Sequence, residues 1–135
     1  MSQENVENIR RAYAAFARGD VDAVLEFLDQ EVDWHPAIAP IMGVETLRGR
    51  ETVKRFLTRD LFEGFDRFRA EPLSVEDLSS DYVLVMVRYA GRGENSGIEL
   101  DQTFATLFEM RDGLAVTMRD YSTRAEALEA AGLRE

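Results

Sequence analysis

The chain has 135 residues, 45% hydrophobic and 31% charged, the balance of a single soluble domain over 1–135, long enough to bury a core without staples. It has no cysteine, which excludes disulfides and thiolate chemistry. It has no run of 18 apolar residues to span a membrane and no basic-then-apolar leader after Met1. A net charge of −10 argues against a nucleic-acid partner, and a cytoplasmic location is the default expectation.

In chain order, Val6, Ile9, Tyr13 and Phe16 make one apolar stripe, which predicts a helix over about 3–18, capped by Ser2 and ended by Gly19. Asp20 caps a second helix with Val21, Val24, Leu25 and Leu28 on its buried face. Val32-Asp33-Trp34-His35-Pro36 follows as a first strand and holds the only tryptophan and the only histidine. Residues 37–48 are apolar but aperiodic. They read as a loop folding over the sheet, with Ile38, Ile41 and Met42 turned inward. Gly49 opens a third helix to about residue 63, with Val53, Phe56, Leu57 and Leu61 as its stripe. Residues 48–69 are locally basic, +3 against −13 for the rest, and read as a solvated helix face.

Four strands complete the pattern. One covers about 67–78, with Pro72 marking an edge or bulge, and Ser79-Ser80-Asp81 turns the chain. Tyr82 to Arg92 is rich in Val and Tyr, and a loose glycine-containing end connects it to the alternating stretch Ile98 to Met110. Asp112-Gly113 is a two-residue hairpin signal before a last strand over Leu114 to Ser122. Thr123 and Glu126 then form a capping box for a terminal helix ended by Gly132. Helices first and a strand meander afterwards predict an α+β fold. Three N-terminal helices pack on a curved, cone-shaped antiparallel or mixed sheet, with a central pocket.

His35 is the first candidate for chemistry, because a histidine titrates near neutrality and can both accept and donate a proton. Strand parity sets it opposite Trp34, so the two cannot both face a pocket unless a bulge at Pro36 re-aims one. Asp120 is the second, a carboxylate on an otherwise apolar strand, where burial would raise its pKa. Gln102 and Thr106 interrupt an apolar strand face and could orient a ligand, as could the hydroxyls of Tyr13, Tyr89 or Tyr121. Trp34, Phe56, Val87 and Phe104 read as core and pocket wall. One histidine and no cysteine argue against a zinc site, and no phosphate loop, dinucleotide fingerprint or nucleophile elbow is present.

The ordered set Tyr13-Ala14-Ala15-Phe16-Ala17-Arg18-Gly19-Asp20, Val32-Asp33-Trp34, Gly49-Arg50-Glu51, Arg111-Asp112-Gly113, Tyr121 and Ala125-Glu126-Ala127-Leu128 resembles the nuclear transport factor 2-like superfamily, within it the SnoaL-like group. That fold hosts isomerases, dehydratases, cyclases, hydrolases and binding-only proteins, so it implies architecture more than activity. Ketosteroid isomerases are similar in outline. Their general-base Asp falls on His35, their oxyanion-hole Tyr on Ala12, and their second oxyanion acid near Thr106; Tyr13 is one residue and about 100° away from Ala12. SnoaL-type polyketide cyclases use an acidic acid/base residue on a late strand, in the region of Asp120. The resemblance also implies sheet-to-sheet pairing, and Leu84, Met86, Arg88, Asp101, Thr103, Ala105 and Leu107 form an outer face suited to a homodimer. The leading expectation is a cofactor-free enzyme moving protons on a small apolar or polyketide-like carbonyl compound. A non-catalytic ligand binder and a protein-interaction domain are the alternatives.

Overall fold

The computed structural model describes residues 2–37, 46–79 and 81–133. The expected inward turn of Ile38, Ile41 and Met42, the Ser2 side-chain cap and the Ser80 position of the turn lie outside the described residues. Helix α1 (Ser2–Ala17) buries Ile9 and Ala15, with Val6, Tyr13 and Phe16 packed partly against the sheet. The chain reverses at Gly19, whose φ of +75 favours a residue without Cβ, and Asp20 caps α2 (Val21–Leu25) by accepting from the Ala23 N–H at 3.1 Å.

The second helix is shorter than its apolar stripe predicts. It stops at Leu25, and Leu28 opens strand β1 (Leu28–His35) instead of continuing the helix. The Ala115 N–H donates to the Phe27 carbonyl, so ladder formation with the last strand takes over where the helix would go on. Residues 37–48, expected to be loop throughout, contain a two-residue strand β2 (Leu47–Arg48) paired antiparallel with β1. Helix α3 (Arg50–Arg55) runs into a π-helical stretch, Phe56–Phe62.

Strands β3 (Phe65–Ser79), β4 (Tyr82–Gly93), β5 (Glu99–Arg111) and β6 (Leu114–Tyr121) follow, and α4 (Arg124–Ala130) closes the described chain. The sheet has six strands in the order β2-β1-β6-β5-β4-β3 and does not close on itself. It is mixed, because β1 lies parallel to β6 while every other pairing is antiparallel. Pro72 sits on the edge strand beside a register shift, where a missing N–H costs least. No helix among the described residues is long and apolar enough to cross a membrane.

Register divides the sheet into two faces. Val85 opposes Thr106, Val87 opposes Phe104, Thr106 opposes Asp120, and Trp34 opposes Met118, so these share the face under α1 and α3. On the other face Leu84, Ala105 and Leu107 are buried against Ala127 and Leu128 of α4.

Candidate functional site

Between α1 and the inner sheet face lies a cavity of about 70 Å³. Helix α1 contributes Ile9, Ala12, Tyr13 and Phe16, and Leu57 and Leu61 come from the π-helical stretch. The sheet contributes Trp34, Phe68, Tyr89, Thr106, Phe108 and Met118, with Pro36 where β1 ends. The wall is therefore aromatic and aliphatic, and its described side-chain oxygens belong to Tyr13, Tyr89 and Thr106. These three converge. Thr106 is 1% exposed and Tyr89 7%, while Phe68 stacks on Tyr89 at 5.9 Å and Phe108 meets Tyr13 edge-on at 6.2 Å, so the rings are held by packing.

Asp120 lies behind the hydroxyls rather than on the cavity wall. Its Oδ1 accepts from the Thr106 hydroxyl at 2.5 Å and from the Tyr89 hydroxyl at 3.3 Å. Its Oδ2 accepts from the Ala37 backbone N–H at 2.8 Å. Burial pushes the carboxyl above its ordinary value, and the hydrogen bonds from Thr106, Ala37 and Tyr89 pull against that rise. Burial and the neighbouring carboxylate push both tyrosines far up, so Tyr13 and Tyr89 stay neutral hydroxyls at any working pH. The Tyr89, Thr106 and Asp120 side chains thus join β4, β5 and β6 in one polar cluster at one end of an apolar cavity.

His35 takes no part in that cluster. It follows Trp34 on β1, opposes Arg119 in register, and so faces the outer side; its Nδ1 is 3.1 Å from the Thr46 hydroxyl and its Nε2 is 3.5 Å from Asp33. Regular pairing through Trp34 and His35 means that no bulge re-aims it, so His35 and Asp120, the two candidates for chemistry, lie on opposite faces of the sheet. Gln102 also departs from expectation: it opposes Tyr89 but is exposed, beyond the cavity. Phe56, Val87 and Phe104 stand one layer back from the wall. Phe56 packs edge-on to Trp34 at 5.4 Å, Val87 is fully buried, and Phe104 supports Tyr89 at 5.6 Å.

Sequence reasoning missed Phe16, Phe68 and Met118 as wall residues. Met118 had a usable signal, since it lies two residues before Asp120 on one strand face. Phe68 had none, because the register shift between Asp66 and Arg69 breaks the alternation that would place it. The Ala37 N–H is invisible to any side-chain reading. Trp34 Nε1 is buried without a hydrogen-bond partner among the described residues. No group of three or more His, Asp or Glu among them is placed to hold a metal ion.

A family model described as SnoaL-like domain matches residues 9–118. Among solved structures, an NTF2-like protein of unknown function from Burkholderia pseudomallei K96243 is 26% identical, with a TM-score of 0.75 over 93% of this chain and 95% of that one. TerC, co-crystallised with polyporic acid, is 26% identical, with a TM-score of 0.74 over 93% and 96%. A candidate SnoaL-like polyketide cyclase from Jannaschia sp. CCS1 is 26% identical, with a TM-score of 0.70 over 96% and 91%. No curated protein matches the chain.

Proposed function

The chain belongs to the SnoaL-like family, and on that footing we propose that it is an enzyme catalysing proton transfer on a small, largely apolar carbonyl compound, with Asp120 as the proton acceptor of the site. One observation carries the reading: the Thr106 and Tyr89 hydroxyls, both on the cavity wall, converge on Asp120 Oδ1. The Tyr89 oxygen takes a proton from the carbon beside the carbonyl while its own proton passes to Asp120. Asp120 then donates to Thr106 as Thr106 gives its own proton to the substrate oxygen. The net change is ketone to enol, with every proton accounted for. Isomerisation, cyclisation or dehydration each begin from such a step, and none of the transfers calls for a cofactor. TerC's crystallisation with polyporic acid and the candidate polyketide cyclase from Jannaschia fit a substrate of this kind.

The test is exchange of the α-protons of small ketones in heavy water, followed by NMR. Wild type accelerates exchange, and Asp120→Asn loses about 100-fold or more of that acceleration. A second reading, binding without reaction, is favoured by the three hydrogen bonds that hold Asp120 and by its place behind the wall. Ligand binding with no exchange by wild type would establish it in place of catalysis.

A further inference from the structure

The inner face of β1 carries a polar atom that the described fold does not satisfy. Trp34 is 7% exposed, and its Nε1 is buried with no hydrogen-bond partner among the described residues. An indole N–H can only donate, and a buried donor without an acceptor has lost its water with nothing in return. The ring does not turn freely toward solvent, because the buried Phe56 packs edge-on against it at 5.4 Å. Asp33 Oδ1 is also buried without a partner, but it belongs to the preceding residue and so to the opposite face of the strand, out of reach. What Trp34 does border is the cavity, of whose wall it is part.

The place of that donor in the sheet gives it a use. Trp34 opposes Met118 on β6, and Asp120 follows two residues on, opposite Thr106. Trp34 and Thr106 line the same cavity, and a space of about 70 Å³ puts both within reach of one short molecule. From this we infer that Trp34 holds the ligand's carbonyl oxygen: its N–H donates to the oxygen that Thr106 protonates, and the ligand is a short aliphatic ketone or aldehyde. The inference rests on the proton-transfer reading and adds to it the group that orients the substrate. Size follows from the volume: a water needs about 10–15 Å³ in this measure, so about 70 Å³ gives roughly five water-sized volumes, the space of four or five non-hydrogen atoms and less than an aromatic ring. The apolar remainder of the wall, with Phe16, Leu57, Phe68 and Met118, receives the alkyl groups. A fixed donor at the oxygen binds more strongly as negative charge develops there on the way to the enol, so it helps the proton transfer as well as the binding.

The chain's single tryptophan gives one indole cross-peak in a proton–nitrogen correlation spectrum, and that peak reads the inferred bond directly. The probes are acetone and 2-methylpropene, a hydrocarbon of the same shape without an acceptor, titrated into the protein at neutral pH. In wild type, acetone is expected to move the indole proton downfield and to saturate, whereas 2-methylpropene moves it much less. Trp34→Phe keeps an aromatic wall and removes the N–H. It is expected to weaken acetone about tenfold more than it weakens 2-methylpropene, and to slow α-proton exchange of acetone by about tenfold or more. Should that variant not fold, by circular dichroism, the wild-type titration decides alone. Acetone that binds wild type without moving the indole proton overturns the inference, and so does an equal loss of both probes in Trp34→Phe, or a wild type that binds neither. A shifted indole proton without α-proton exchange keeps this inference and removes the catalytic reading. Exchange of acetone with the indole proton unmoved does the reverse.

Discussion

Asp120 is where chemistry and stability meet. Burial raises its folded-state pKa above the ordinary 3.8, so the native chain holds the proton at pH values where the unfolded chain has released it. Stability contributed by the protonated form is complete below about pH 4 and is lost as pH rises through the folded value. Asp120→Asn does not titrate there. The difference in melting temperature, variant minus wild type, should therefore move in the variant's favour as pH rises from about 4; a flat or falling difference in thermal melts at stepped pH would sink this account. His35 makes the opposite case. It lies on the outer face with Thr46 and Asp33, so His35→Ala should change α-proton exchange by less than about threefold and cost about 1 kcal/mol for a part-exposed hydrogen bond. A loss comparable with that of Asp120→Asn would mean that His35 reaches the substrate.

At the level of elements, the β5–β6 hairpin sets the site, since Thr106 and Asp120 oppose each other only in its present register. The turn and the bulge between Glu109 and Met110 fix that register together, since the pairing beside the turn, Met110 with Ala115, shifts by one residue before Glu109 pairs with Thr117. Asp112 and Gly113 have φ of 54 and 80, the left-handed pair that a two-residue hairpin requires, and Asn8 of α1 donates to the Gly113 carbonyl at 2.9 Å. A Cβ at Gly113 would be strained at that φ and would meet Asn8 Nδ2 at 3.2 Å. Gly113→Ala is expected to cost about 1–2 kcal/mol in urea unfolding, with the m-value unchanged. A neutral result would show that the turn does not define the pairing. The π-helical stretch is a second local device: it places Leu57 and Leu61 on the cavity wall and Phe56 behind Trp34, where an uninterrupted α-helix would rotate them differently.

For the whole molecule, the outer sheet face is the surface on which our proposal of association is tested. Helix α4 already covers Leu84, Ala105 and Leu107, which leaves half-buried Met86, the Arg88–Asp101 ion pair at 2.7 Å and Thr103 as the strip nearest solvent. Our proposal remains a homodimer through this face. Light scattering should give a mass near twice 15.3 kDa, and Met86→Glu should shift it toward one chain. A wild-type mass of one chain would show that α4 satisfies the face alone.

Local pattern determined much of this protein by itself. The 3.6-residue stripe of α1, the period-2 alternation of β5, the Asp112-Gly113 turn and the Thr123 cap are interactions between near neighbours, and near neighbours are what a sequence displays. Parity on β1 likewise separated Trp34 from His35, although it could not say which faced inward. Only tertiary structure decided that, because the choice depends on β1 lying parallel to β6, an alignment of Trp34 with Met118 that no local signal encodes. The same holds for the end of α2, where a ladder bond from Ala115 outcompetes a helical stripe extending to Leu28. It holds most for the polar cluster. Tyr89, Thr106 and Asp120 come from three strands and meet the Ala37 N–H in a buried cluster, a long-range arrangement that exists only once the chain has folded.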